Sequence, residues 1–197
     1  YVEVTVNQRE IENDDNIAVK INGNNAPCSI PFSRGFQAVN VKVYDNSTNP
    51  PTDITDSFKI DGNLFVFPVG DYSVTVTATD GNYKGSKRVS YAISAINPEL
   101  NRDYTVVAPT LPVYDGTPKG VTVTEINSSG VRASEIKYSK YPYTETVSEA
   151  PTEAGTYSVF ITLKGGRNYN SISAATSFTI VKADAKIDYT EPFKAAY

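Results

Sequence analysis

One block of residues occurs twice in this chain. Gly70-Asp71-Tyr72-Ser73-Val74-Thr75-Val76-Thr77, followed by Asn82-Tyr83, returns as Gly155-Thr156-Tyr157-Ser158-Val159-Phe160-Ile161-Thr162, followed by Asn168-Tyr169. The separation is about 85 residues at both points, and a fixed period marks tandem copies of one folding unit. A chain of 197 residues holds two such copies. Within Ile187 to Tyr197, Pro192 and Tyr197 keep the spacing that Pro109 and Tyr114 have within Tyr104 to Tyr114. That stretch therefore reads as the first strand of a further repeat. The expected domains are 1–96, 97–182 and the opening of a third at 183–197, with short linkers at Asn97-Pro98-Glu99 and Ala183-Asp184-Ala185.

Composition narrows the class of fold and of chemistry. Cys28 is the single cysteine, so no disulfide closes within the chain and stability rests on packing. With 14 Tyr, 8 Phe, 12 Gly and 12 Pro beside many Val and Thr, the chain has the makeup of short β-branched strands joined by tight turns. A net charge of −4 argues against a nucleic-acid partner, which needs clustered Lys and Arg. The basic cluster Lys84 to Arg88 reads as a solvated turn. No apolar run approaches the ~18 residues of a membrane-spanning helix. The chain starts at Tyr1 and contains no Met, and it reads as an excised segment whose targeting and anchoring parts lie elsewhere.

Alternation is strict in Asp71 to Asp80, where Tyr72, Val74, Val76 and Ala78 share one face and Ser73, Thr75, Thr77 and Thr79 the other. A half-buried antiparallel strand has that pattern. Its counterpart puts Tyr157, Val159, Ile161 and Leu163 inward, and the outward Phe160 implies partial cover. Further strands are expected at 2–6, 17–21, 37–44, 57–60, 64–67 and 88–96 in the first copy. In the second they are expected at 104–107, 120–125, 135–139, 156–163 and 174–181. Turn signals at Asn22-Gly23, Asp61-Gly62, Asp80-Gly81, Asp115-Gly116 and Gly165-Gly166 separate them, and short strands at this spacing build a β-sandwich.

Glu153-Ala154-Gly155-Thr156-Tyr157-Ser158-Val159 resembles the immunoglobulin signature acid-x-Gly-x-Tyr-x-Cys, with valine in place of cysteine. The resemblance implies a tyrosine whose hydroxyl bonds back to the backbone at the strand corner, with Tyr72 its equivalent in the first copy. The second copy resembles the bacterial immunoglobulin-like surface repeats of the MBG or YDG type. The residues that carry this likeness are Val113-Tyr114-Asp115-Gly116-Thr117-Pro118-Lys119, Pro151 to Tyr157, Asn168-Tyr169-Asn170 and Phe178 to Ala183, spread over residues 103 to 183. In the first copy Phe32-Ser33-Arg34-Gly35 stands in place of the Tyr-Asp-Gly turn, making it a divergent member. The fold implied is all-β, as tandem immunoglobulin-like sandwiches. The habitat implied is extracellular, on a bacterial surface or secreted, among neighbouring repeats of the same chain.

The residue types leave little room for catalysis. Without histidine, the usual nucleophile–base pairs and zinc–histidine sites are missing. Cys28 has no cationic neighbour in sequence and reads as a small buried thiol, with a thioester to Gln37 as the alternative. Asp53, Asp56, Asp61, Asn63, Asp80 and Asn82 supply oxygen ligands of the kind Ca²⁺ takes, yet their Asp-Gly contexts are those of turns, and no metal site or cofactor is expected. The aromatic run Tyr138, Tyr141 and Tyr143 is the first place to look for a ligand surface, because flat rings stack on sugars or fill pockets of a partner protein. Tyr141 and Tyr143 are the binding candidates, against the reading that the rings pack beneath a loop. The function expected is a non-catalytic stalk or adhesion module meeting a host or matrix protein or a glycan. The alternative is an accessory carbohydrate-binding or spacer module of a glycan-degrading enzyme.

Overall fold

The computed structural model describes residue 1 and residues 7–185. The strand expected at 2–6 and the third-repeat strand expected at 187–197 lie outside the described residues. The chain divides into two compact units, Tyr1–Asn97 with Arg167–Asn170, and Pro98–Gly166 with the chain from Ser171 onward. It is all-β, with one 3-10 turn at Thr55–Ser57 and no α-helix among the described residues.

The first unit has twelve strands: β1 Arg9–Glu10, β2 Ile17–Ile21, β3 Asn24–Asn25, β4 Cys28–Pro31, β5 Gln37–Ala38, β6 Val41–Asp45, β7 Thr52–Asp53, β8 Phe58–Gly62, β9 Phe65–Val66, β10 Gly70–Ala78, β11 Tyr83–Lys84 and β12 Ser86–Ser94. One sheet runs β4-β12-β10-β8 and a second β3-β2-β6-β7, with β1-β11 and β5-β9 as two-stranded ribbons. Ile17, Val19, Ile21, Val41 and Val43 from the second sheet and Phe58, Val74, Val76, Tyr91 and Ile93 from the first form one buried cluster. That is the inward set of a sandwich. Each such side chain removed from water contributes about 1.5–3 kcal/mol, which explains why alternation rather than local propensity sets the register.

Two expectations are corrected here. Residues 37–44 do not form one strand. Gln37 and Ala38 pair with β9, Val39 N–H donates to Leu64 O, Asn40 N–H donates to Asn22 Oδ1, and the chain then pairs with β2 from Val41. The segment changes partners midway, and the alternation survives the change. The cluster Lys84 to Arg88 is no solvated loop either, because Lys84 ends β11 and Lys87 and Arg88 lie on β12. Lys87 Nζ donates to the carbonyls of Asp14 and Ile17 at 3.0 Å each, so its charge ends on backbone acceptors.

The second unit has β13 Tyr104–Val107 paired with β14 Thr122–Glu125, and the sheet β15 Arg132–Lys140, β16 Gly155–Lys164, β17 Ile172–Ile180. Burial in β16 alternates without a break, with Tyr157, Val159, Ile161 and Leu163 inward and Phe160 half exposed at 50%. Val113 bridges Val181 in parallel, extending the sheet by one more segment.

Candidate functional site

Strand β15 ends by delivering the tyrosine run to a hairpin tip. Tyr138 N–H donates to Val147 O at 2.8 Å and receives the return bond from Val147 N–H at 2.9 Å, which closes the arms. Beyond them, Tyr143 N–H donates to Lys140 O and Ser139 Oγ donates to Tyr143 O, each at 2.8 Å. Tyr141 N–H donates to Thr156 O on β16, also at 2.8 Å. Lys140 Nζ meets Glu153 Oε2 at 2.9 Å, which holds the Lys140 ammonium above its ordinary range and the Glu153 carboxyl below its own. The tip is thus fixed by its backbone.

The three rings separate in consequence. Tyr138 faces the core, with 4% of its surface exposed, its ring edge on Phe178 and its hydroxyl accepting Val121 N–H at 3.2 Å. Tyr141 and Tyr143 stand out at 77% and 70% exposure. The reading in which Tyr141 and Tyr143 pack beneath a loop does not hold. Both present flat amphipathic rings on a hydrogen-bonded frame, an arrangement that loses little entropy on meeting a partner.

The scaffold behind the tip is the corner predicted from the repeat. Tyr157 Oη donates to Glu153 O at 2.9 Å, and Tyr72 Oη donates to Pro68 O at 2.5 Å, four residues upstream in each case. Tyr157 stacks on Phe178 and Tyr72 on Tyr91, both with ring centroids 5.7 Å apart. The Tyr-Asp-Gly turn is likewise wired. Asp115 Oδ1 accepts Thr117 N–H at 2.8 Å, and Lys119 Nζ donates to Asp115 Oδ2 at 2.7 Å, the Lys119 bond first and the Thr117 bonds next holding the carboxyl well below its usual range.

The remaining sequence candidates occupy structural roles. Cys28 lies half-buried on β4 opposite Tyr91, where burial pushes the thiol up and disfavours the thiolate. Gln37 belongs to the β5–β9 ribbon instead, with its amide buried and making no hydrogen bond. Asp53 accepts from Thr55 and Lys42, Asp61 pairs with Lys59, Asn63 Oδ1 accepts Ser73 N–H and Asp80 accepts Asn82 N–H. These oxygens serve turns and ion pairs, and no group of three or more His, Cys, Asp or Glu that could hold a metal ion forms among the described residues.

Sequence reasoning missed a second aromatic surface. Phe36 and Phe65 stack at 5.3 Å and 7°, Phe67 leans on Phe36 at 5.2 Å, and exposures of 66%, 65% and 42% leave them open to solvent. The alternation Phe65-Val66-Phe67 was the available signal, since with Val66 buried its neighbours must face out. Comparison with curated proteins finds no match for this chain. The family model of the MBG domain matches residues 105–184, the stretch that carries the tyrosine tip, the wired Asp115 turn and the Tyr157 corner.

Proposed function

We propose that this chain is a non-catalytic tandem module of a secreted or cell-surface bacterial protein, whose role is attachment to a host or matrix protein or a glycan. The observation that carries the reading is the tip at Tyr141 and Tyr143, two exposed rings on a backbone held by five hydrogen bonds. A pure spacer has no use for exposed rings on a fixed frame, whereas binding energy concentrates in a few such anchors. The MBG match supports a surface-repeat module as the setting.

Glycan-array and matrix-protein binding by the whole chain, with a Tyr141→Ala, Tyr143→Ala variant as control, tests the proposal. Binding should fall at least about tenfold in the variant, since loss of one anchor commonly exceeds 1.4 kcal/mol. Equal binding by both proteins defeats the role of the tip. Turnover of a glycosidic or peptide substrate, abolished by a point substitution in this chain, defeats the non-catalytic reading.

A further inference from the structure

The outward face of the β8-β10-β12 sheet carries chemistry that none of the roles above uses. Register places Ser73 directly opposite Ser90, with Thr75 opposite Arg88 on one side and Asp71 opposite Ala92 on the other. Two facing serines leave a depression that longer side chains would fill. A groove of about 580 Å³ results, with Asn63, Asp71 and Arg88 among its walls and the serine pair as its floor.

We propose that this groove binds an acidic saccharide, a sugar residue bearing a carboxylate. Arg88 is already aimed, because its Nε and Nη2 donate to Ser73 Oγ at 3.2 and 2.9 Å. Those bonds fix the guanidinium plane, and Arg88 forms no ion pair among the described residues. A guanidinium so held presents its remaining N–H donors to a carboxylate at little entropic cost. Asn63 accepts Ser73 N–H through Oδ1 at 3.3 Å, which leaves its Nδ2 protons for a ligand hydroxyl.

Asp71 lies two residues from Ser73 on the same face of β10, about 7 Å along the strand from the serine that holds the guanidinium. That is within a Debye length of about 8 Å at physiological salt, so Asp71 opposes a carboxylate in the groove and the arginine has to outweigh it. The Asp71 oxygens are placed to accept from a diol at the far end. A hydroxyl-rich ligand fits because Asn63, Asp71, Ser73, Arg88 and Ser90 line the groove with hydrogen-bonding side chains and no exposed aromatic anchor of the kind the hairpin tip carries.

The second unit supplies an internal control. Its matching outward positions, two residues beyond the Ser158–Ser177 pair on β16 and two before it on β17, are Phe160 opposite Ala175, which hold no cation. The same sheet face is thereby specified for a different surface chemistry.

Titration of the whole chain with trigalacturonate and with sialyllactose, each beside its carboxyl-reduced counterpart, tests the proposal by calorimetry and backbone-amide NMR. One or both acidic sugars should bind and perturb the amides of Asn63, Ser73, Arg88 and Ser90, and which one binds separates a uronate source from a sialate one. Carboxyl reduction and Arg88→Ala should each weaken binding about tenfold or more, and Arg88→Lys should restore part of it. Ser90→Tyr, which fills the depression and keeps the charge, should also block binding. The Tyr141→Ala, Tyr143→Ala variant should bind these sugars unchanged, so failure here is distinct from failure of the hairpin tip. Equal affinity for a reduced sugar, indifference to Arg88→Ala, or no saturable binding of either acid at about 10 mM overturns the proposal.

Discussion

In both units the strand carrying the Gly-x-Tyr-Ser-Val frame pairs with the next long strand in one register, Gly70 opposite Ile93 and Tyr72 opposite Tyr91, then Gly155 opposite Ile180 and Tyr157 opposite Phe178. A parallel segment closes the far side of each sheet, where Phe32 N–H donates to Ser94 O and Tyr114 N–H to Val181 O. Turned outward, the same two strands diverge, because Thr75 and Arg88 in the first unit stand where Phe160 and Ala175 stand in the second. The inward face is constrained because a slip of one residue would turn every apolar side chain to water. No such penalty acts on the outward face. Differences between the units are therefore where distinct binding chemistry is to be sought, and the shared face tells of stability.

The equivalence of the inward faces is open to direct attack at Ile161, which is 2% exposed and takes the place of Val76 in the first unit. Ile161→Ala should destabilise the second unit by about 2–5 kcal/mol through lost transfer energy and the cavity left behind. Ile161→Val, which installs the first unit's residue, should cost only about 0.5–1.5 kcal/mol. Denaturant titration measures both, and a valine variant as damaged as the alanine one would break the comparison.

A smaller effect distinguishes Tyr91 from Phe178. Burial, with Tyr72 and Cys28 adding like-charge repulsion, pushes the Tyr91 phenol up to about 12. Because the folded value lies above the unfolded one near 10, the stability it supports is intact below pH ~10 and lost as pH rises towards about 12, a change of roughly 2–3 kcal/mol. Tyr91→Phe makes the position match Phe178. It should abolish this part of the alkaline loss while costing about 1 kcal/mol at neutral pH, the worth of the bond from Tyr91 Oη to Asn63 O. Unfolding followed from about pH 8 to 11.5 gives the slope, and an unaltered slope in the variant would remove Tyr91 as its source.

Where the sequence was legible follows from range. The frame around Tyr72 and Tyr157 combines period-2 alternation with a corner tyrosine bonded four residues upstream, and both signals are local. β4 was invisible because Cys28–Pro31 is a four-residue segment with Pro27 before it and Pro31 at its end, and its register comes from parallel pairing with β12, some 60 residues on. Tyr141 and Tyr143 could be named from their density alone, but the departure of Tyr138 into the core depends on Val121 and Phe178. The groove was hidden for the same reason. Asn63, Asp71 and Arg88 meet only once three separate stretches align, and Arg88 taken alone looked like part of a basic turn.

The smallest effect tests the turn that sets the units apart. Backbone pairing puts Ser33 in the first unit at the position of Asp115 in the second, so the first unit lacks the carboxylate that receives Thr117 and Lys119. A carboxyl whose folded value is depressed supports the fold above its unfolded pKa near 3.9, and that support drains away as pH falls through the folded value. Asp115 should titrate well below the ordinary carboxylate range in a carbon-detected NMR experiment, and Lys119→Ala should move its midpoint upward by removing the largest cause of the depression. Asp53, held by Thr55 first and Lys42 after it, should titrate at about 2 and stay there in the Lys119→Ala protein, which makes it the internal reference. Both groups are exposed, so the readout is the midpoint of each carboxyl and not the melting temperature. An Asp115 midpoint that ignores the loss of Lys119 would reduce the turn's wiring to the two bonds from Thr117, and with it the electrostatic part of what separates this turn from its Ser33 counterpart.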